Sequence, residues 1–133
     1  MGRAETCTLT PLEAAVMNVV WELSEATTRQ VHEQLRRTAP RAYNTVLMVM
    51  RVLHQKGLLA DERRGRSVVY RPTVTREEGA EQAIKDLADR FFACSVPALL
   101  GHVIRHMPLN RRELRGIRRE LDRRDGESAE RTR

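Results

Sequence analysis

The order of secondary-structure signals in residues 10–72 constrains the fold of this chain more than any other feature. Thr10, Pro11 and Glu13 are typical of a helix start, with a hydroxyl cap, a proline at the first position and a carboxylate three residues after the cap. Thr27 and Gln30 repeat the cap and its partner. Apolar residues recur at intervals of three and four after both starts, which predicts two helices that each bury one face.

A third helix is predicted over residues 42–55, because Val46, Val49, Met50 and Leu53 have the spacing of a core face. Gly57 ends it, at a position where a left-handed backbone is often required. Two short β-prone runs follow on either side of the polar residues 61–66, and Pro72 ends the second run. The fold class is therefore mainly α with a small β-hairpin wing, in the order of a winged helix-turn-helix.

Residues 75–124 have a different pattern, with three more predicted helices that carry apolar stripes on otherwise charged surfaces. Aromatic residues make up only 4% of the chain, so these short helices would bury their stripes poorly alone. A second copy of the chain would cover the stripes, which predicts a homodimer. The candidate dimerisation residues are Ile84, Leu87, Phe91, Leu99, Leu100, Val103, Ile104, Leu114, Ile117 and Leu121.

These patterns predict four segments along the chain. A flexible N-terminus covers residues 1–8, a winged helix-turn-helix domain residues 9–74, a helical dimerisation region residues 75–124 and a disordered tail residues 125–133. No apolar run is long enough to span a membrane and no export signal is present, so we expect a cytoplasmic protein. A disulfide between Cys7 and Cys94 is not expected in that compartment.

Positive charge is concentrated in the predicted winged helix-turn-helix. Residues 26–71 contain ten basic and three acidic side chains, whereas residues 77–133 contain twelve and eleven. A basic block beside a nearly neutral one is typical of a polyanion-binding domain joined to an assembly region. A surface that only keeps the protein soluble could have the same composition. The order of the helices favours the first interpretation, with double-stranded DNA as the partner.

In a helix-turn-helix, the second helix of the motif lies in the major groove and presents its early turns to base edges. Here that helix covers residues 42–55, where Asn44 suits adenine and Arg51 suits guanine or phosphate. The hairpin tip is expected to act as a mobile cationic finger on phosphates or in the minor groove. The candidate DNA-contacting residues are Thr28, Arg41, Tyr43, Asn44, Thr45, Leu47, Met48, Arg51, Arg63, Arg64 and Arg66.

Four stretches of the chain resemble the penicillinase-repressor family, which includes the β-lactamase and methicillin-resistance repressors and their copper-responsive relatives. The stretches are LTPLEAAVMNVVWEL at 9–23, TTRQVHEQL at 27–35, AYNTVLMVMRVLHQKGLL at 42–59 and GRSVVYRP at 65–72. The resemblance implies a bacterial repressor whose winged helix binds an operator dyad and whose C-terminal helices hold a dimer. It also implies a role in antibiotic resistance and, as in some relatives, a regulatory protease that cuts between the two parts.

Two positions depart from the family pattern. Family members usually carry Thr where Met48 stands and Arg where Val52 stands, so a polar contact with the operator is missing at each. The copper-responsive branch has a cysteine-rich C-terminal motif, whereas Cys94 has no second thiol near it in the sequence. Copper sensing is therefore disfavoured, and no cofactor is expected.

Two other functions stay open. His102 and His106 are four residues apart, a spacing that can chelate a metal in a metal-responsive regulator. A closed site needs four ligands, so surface or interface histidines are favoured and no metal site is assigned. The second alternative is a winged helix that contacts proteins, which would not need so basic a surface. Catalytic motifs are missing from the sequence, so an enzyme is not expected.

Overall fold

The computed structural model of the chain describes residues 9–131, and within them it contains six α-helices and one two-stranded antiparallel sheet. The elements are α1 Pro11–Leu23, α2 Thr28–Leu35, α3 Tyr43–Gln55, β1 Leu59–Arg64, β2 Ser67–Pro72, α4 Arg76–Phe91, α5 Val96–His106 and α6 Arg111–Arg131. The mainly α fold with a β-hairpin is confirmed. The chain divides into an N-terminal unit, Met1–Asp86, and a C-terminal unit, Leu87–Arg133, and the division falls within α4.

The predicted helix starts are confirmed by their hydrogen bonds. At α1, the Thr10 hydroxyl accepts from the Glu13 N–H at 3.1 Å, and a Glu13 carboxylate oxygen accepts from the Thr10 N–H at 2.9 Å. The same exchange joins Thr27 to Gln30 at α2. Each cap satisfies backbone donors that a helix leaves unpaired in its first turn, which fixes where the helix begins.

The core of the N-terminal unit lies between the three helices and the hairpin. Its fully buried side chains come from α1 (Val16, Met17, Val20), α2 (Val31) and α3 (Val46, Met50, Leu53), and each is 0% exposed. Burying one such aliphatic side chain contributes about 1.5–3 kcal/mol, so this small set supplies most of the driving force for folding the unit. The spacing of three and four in α1 did not predict that Met17 is buried, because the buried face of this helix is wider than that spacing indicates.

The hairpin pairs β1 with β2 from Leu59–Pro72 at its base to Arg64–Ser67 at its tip. Gly65 has φ +61, a value that a two-residue turn of this kind requires and that other residues rarely adopt. An isolated bridge joins Ala26 to Tyr70 on the other edge of β2, through N–H to carbonyl bonds of 2.9 and 2.8 Å. This bridge was not predicted, because a single paired residue has no periodic pattern.

The first turns of α4 pack on the N-terminal unit. The sequence predicted a domain boundary before this helix, after residue 74. The Trp21 indole N–H donates to the Val74 carbonyl at 2.9 Å, and the Arg76 guanidinium lies 5.9 Å from the centroid of the Trp21 ring. A Cβ on Gly79 would lie 3.0 Å from Trp21 Cη2, so glycine permits this approach. The structural boundary after Asp86 follows from these contacts.

The C-terminal unit contains α5 and α6, and among its described residues only Ala88 and Leu99 are buried apolar side chains. The turn before α5 holds two non-glycine residues at positive φ, Ala93 at 49° and Cys94 at 65°. No single helix within residues 9–131 is long and apolar enough to cross a bilayer, although the bent pair Arg76–Phe91 and Val96–His106 reaches the length and composition together.

The end of the chain differs from the predicted disordered tail, because α6 continues to Arg131. Residues 125–131 are exposed and mostly polar, and the pair of Arg123 with Glu120 just before them, 2.6 Å apart, has the spacing that supports a solvated helix. Composition alone indicates disorder for such a segment, since a polar helix without an apolar anchor has no hydrophobic pattern. The predicted flexible N-terminus, Cys7 included, lies outside the described residues.

Candidate nucleic-acid interface

One side of α3 is exposed along its length, and it carries most of the residues predicted to contact bases. The buried residues Val46, Met50 and Leu53 set the rotation of the helix about its axis. The opposite side therefore presents Met48, which is 60% exposed, and Tyr43 is 44% exposed at the start of the helix, nearer the buried face. The other exposed candidates are Asn44, Thr45 and Arg51, whereas Leu47 is half-buried.

The start of α3 combines free backbone donors with an ordered aromatic ring. Ala42 caps the helix without a side-chain hydrogen bond, so its first N–H groups are open to an anion. Tyr43 contacts His32 of α2 edge to face, with ring centroids 5.7 Å apart and planes at 74°. Arg41 is exposed just before the helix and donates to the Pro40 carbonyl at 2.9 Å. These contacts hold the two helices in a fixed mutual geometry.

Thr28 differs from the other candidates because its side chain is in the core. It is only 6% exposed, in the first turn of α2. The sequence placed its hydroxyl toward phosphate, since a polar residue at a helix start usually faces solvent. In the structure, the exposed side chain of this turn is that of Arg29.

The hairpin tip carries the three predicted arginines, but they are not equivalent. Arg63 and Arg66 are exposed and have no ion pair within residues 9–131. Arg64 donates from Nη1 and Nη2 to the two carboxylate oxygens of Glu25, at 2.8 and 3.0 Å, and from Nε to Glu62 at 2.7 Å. The expected mobile cationic finger therefore does not include Arg64, whose guanidinium is held against the protein.

Glu25, Glu62, Arg64 and Arg71 form one exposed cluster, which we call the Glu25 ion-pair cluster. Arg71 Nε donates to a Glu25 carboxylate oxygen at 2.9 Å, and its Nη2 lies 3.5 Å from Glu62. Hydrogen bonds from Arg64 and then Arg71 lower the pKa of Glu25 from 4.5 to about 2. The same contacts raise the pKa of Arg64. The two carboxylates and two guanidiniums of the cluster carry equal and opposite formal charges.

The cluster was missed by sequence reasoning. A shared strand face would have been a signal for Glu62 and Arg64, but the sequence placed both in the polar turn 61–66, whereas β1 extends to Arg64. Glu25 and Arg71 had no such signal, because they lie 46 residues apart and meet only after the hairpin has packed beside the connection between α1 and α2.

Ion pairing leaves a defined set of free cations in the basic stretch. Four of its ten basic residues are paired: Arg36 with Glu33, Lys56 with Glu13, and Arg64 and Arg71 in the Glu25 ion-pair cluster. The other six have no ion pair in the described part of the chain: Arg29, Arg37, Arg41, Arg51, Arg63 and Arg66. They lie on α2, α3, their flanks and the hairpin tip, so these elements carry exposed positive charge that no ion pair offsets in the described part of the chain.

A metal site at the two C-terminal histidines has no support in the structure. His102 and His106 have ring centroids 4.6 Å apart, and Phe92 lies beside His102 at 5.4 Å. No group of three or more His, Cys, Asp or Glu side chains among residues 9–131 could hold a metal ion. Cys94 is exposed, and a hydrogen bond to Asp89 raises the pKa of its thiol, which lowers its reactivity.

The predicted dimerisation residues are mostly exposed. Ile84, Leu87, Phe91, Leu100, Ile104, Leu114 and Leu121 are each at least 38% exposed, Val103 and Ile117 are half-buried, and Leu99 is buried. Within the C-terminal unit, an open apolar groove of about 920 Å³ is lined by Leu87, Phe91, Leu99, Val103 and Met107. Exposed apolar surface on this scale is typical of a region that a partner covers.

Comparison with known proteins finds a family model, two relatives and a solved domain that are similar to this chain. The family model of the penicillinase repressor matches residues 9–123. The transcriptional regulator BlaI of Mycobacterium tuberculosis is 40% identical over 76 residues, which cover 56% of this chain and 55% of the relative, so the match spans about half the length of that protein. The penicillinase repressor of Bacillus licheniformis is 24% identical over 110 residues, covering 83% of this chain and 86% of the relative. A solution structure of the DNA-binding domain of the repressor BlaI has a TM-score of 0.49 and 28% identity, covering 53% of this chain and 87% of that chain.

Proposed function

Because this chain belongs to the penicillinase repressor family, we propose that it is a DNA-binding transcriptional repressor that recognises an operator as a homodimer. The observation that carries the proposal is the set of six exposed arginines on α2, α3, their flanks and the hairpin tip that have no ion pair within residues 9–131. Neutralising phosphates with such side chains releases condensed counterions, which supplies most of the affinity of a protein for duplex DNA.

Base recognition is assigned to the exposed side of α3. Asn44 has an amide that can pair with both polar atoms of an adenine edge, and Arg51 can donate two hydrogen bonds to guanine. Tyr43 and Met48 provide apolar surface for thymine methyl groups. Thr45 and Arg41 lie beside them and suit phosphate contacts, as do Arg63 and Arg66 on the hairpin.

The homodimer is assigned to the C-terminal helices. Their exposed apolar side chains would be covered by the same residues of a second copy, an arrangement that a two-fold axis produces without further elements. Two linked winged helices bind two half-sites, and the second binding event then has the advantage of a high effective concentration. Repression follows when the dimer occupies promoter DNA.

The proposal also includes a cytoplasmic location and inactivation by a regulatory protease. A cut between the winged helix and the C-terminal helices would leave two separate DNA-binding units, so the gain from linkage would be lost. Incubation of purified protein with host membrane extracts, with and without a β-lactam, followed by mass determination of the fragments, tests this part. An intact chain under both conditions would contradict it.

The salt dependence of DNA affinity tests the central proposal. Fluorescence anisotropy with a short mixed-sequence duplex should give a slope of log affinity against log salt steeper than about −3, since each neutralised phosphate contributes about −0.9. A winged helix that contacts proteins would show no binding to the duplex at low salt, and that result would overturn the proposal. If the protein binds the duplex, selection of bound fragments from the host genome will identify the operator.

A further inference from the structure

We propose that Glu25 is a positioning residue that holds Arg64 away from DNA, so that the hairpin meets the phosphates through Arg63 and Arg66 alone. The inference rests on the proposed function and deepens it, because it separates the three hairpin arginines by role. It follows from the Glu25 ion-pair cluster, which occupies one of these arginines and leaves the other two free.

The geometry commits each nitrogen of the Arg64 guanidinium. Nη1 and Nη2 bind the two oxygens of Glu25 in a bidentate pair, and Nε binds Glu62. Bidentate arginine–carboxylate pairs are among the strongest and most directional hydrogen-bonded pairs in proteins. Three of the five N–H donors of Arg64 are occupied and two carboxylates offset its charge, whereas Arg63 and Arg66 have no ion pair within residues 9–131.

Glu25 is placed by backbone constraints on both sides. Ser24 ends α1 with φ 72, and Ala26 is joined to Tyr70 of β2 by two backbone hydrogen bonds. The backbone of Glu25 is therefore held next to the hairpin, and its carboxylate binds Arg71 as well as Arg64. Isolated exposed ion pairs contribute little, but a bidentate pair within a network of four charges is the arrangement in which such pairs matter.

The charge balance of the cluster has a consequence for specificity. With two carboxylates and two guanidiniums it adds no net attraction for DNA. Loss of Glu25 would release Arg64 from its bidentate pair. Arg64 would then bind phosphate and not a base, so affinity would rise for every DNA sequence alike. The ratio of operator affinity to mixed-sequence affinity would then fall.

Matched arginine variants test the assignment. With a mixed-sequence duplex, R66Q should make the salt slope shallower by about 0.9, as expected for one lost phosphate contact, whereas R64Q should leave the slope of the wild type unchanged. A drop in R64Q equal to that in R66Q would overturn the inference. The Arg64 Nε–H signal in NMR spectra should also keep its position when DNA is added, and a shift like that of Arg66 would count against the inference.

The Glu25 variant gives the opposite change. E25Q should steepen the slope by about 0.9, equivalent to roughly eightfold tighter binding at 0.1 M salt when referenced to 1 M. Because Glu25 also binds Arg71, two double variants separate the arginines: E25Q/R64Q should lose this gain and E25Q/R71Q should keep it. An E25Q protein with the wild-type slope contradicts the inference. A wild-type protein that does not bind DNA overturns the proposed function and this inference together, whereas a steep wild-type slope with equal R64Q and R66Q losses overturns this inference only.

Discussion

The Lys56 ammonium lies 2.9 Å from both carboxylate oxygens of Glu13, and this pair ties the C-cap of α3 to the first turn of α1. Glu13 is also the carboxylate of the α1 capping box. One nearly buried side chain therefore fixes a helix start and the end of the helix that carries the candidate base contacts. Burial raises the pKa of Glu13, but hydrogen bonds from Thr10 and Lys56 outweigh it and the pKa is lowered overall.

Replacement of Lys56 should destabilise the N-terminal unit. K56M keeps much of the apolar stem but leaves the Glu13 carboxylate buried without its cation, and we expect a loss of about 1–3 kcal/mol in the free energy of unfolding. Urea unfolding followed by circular dichroism measures it. K85M is the matched control, because Lys85 is exposed on α4, and it should unfold as the wild type does. Equal losses in both variants would refute the pairing.

The difference between K56M and the wild type should depend on pH. The folded-state pKa of Glu13 lies below its ordinary value of 4.5, so its stabilisation is present above about pH 4.5 and is lost as the pH falls through the folded-state pKa. We therefore expect the two unfolding curves to differ most at neutral pH and to converge in acid. A difference that stays constant from pH 7 to pH 3 would show that the lost stability comes from packing rather than from charge.

Gly79 should not accept a methyl group. In G79A the new Cβ would meet the Trp21 ring at 3.0 Å, and that ring is fixed by its hydrogen bond to Val74. We expect a net destabilisation of about 1–2 kcal/mol despite the better helix propensity of alanine. Trp21 is the single tryptophan, so its fluorescence reports the unfolding directly. G126A is the control, with no heavy atom near the new Cβ, and its stability should rise by up to about 1 kcal/mol.

Arg51 and the hairpin arginines should differ in what they contribute to DNA binding. R51A is expected to weaken operator binding by about 1–3 kcal/mol and to relax base preference, because this side chain lies on the exposed side of α3. R63A should weaken operator and scrambled duplexes alike. R123A removes an arginine that is already paired on α6 and serves as the control for net charge. If R51A reduced both affinities by the same factor, the base-reading role of Arg51 would be wrong.

The C-terminal helices should lose their self-association when one exposed apolar residue becomes charged. L100E places a carboxylate at a side chain that is 43% exposed, so the fold of the protomer should persist while the dimer dissociation constant rises by at least about tenfold. Sedimentation equilibrium measures the change. A98E adds the same charge to an exposed position of the same helix and should remain dimeric. Wild-type protein that sediments as a monomer would contradict the dimer itself.

Local signals account for what could be predicted from the sequence. A capping box joins residues three apart, and a core stripe joins residues three or four apart. The starts of α1 and α2 and the buried side of α3 can therefore be predicted from a few neighbouring residues. The exposed candidates on α3 then follow from the rotation of that helix.

The contacts that could not be predicted join residues far apart in the chain. Lys56 and Glu13 are separated by 43 residues, Arg64 and Glu25 by 39, and Trp21 and Val74 by 53. Each charged side chain has many possible partners of opposite sign, and the choice depends on how the hairpin and helices pack. For that reason Arg64 looked equivalent to Arg63 and Arg66 in the sequence, although its guanidinium is already bound.

The hairpin has one covered edge and one open edge. Ala26 covers β2, whereas β1 pairs only with β2 within residues 9–131. An open strand can recruit a strand of another molecule and start aggregation, and charged side chains oppose this. β1 carries four consecutive charges, from Asp61 through Arg64, on that open edge. Changes that make this strand neutral and β-branched would therefore lower the solubility of the protein before they altered any contact with a ligand.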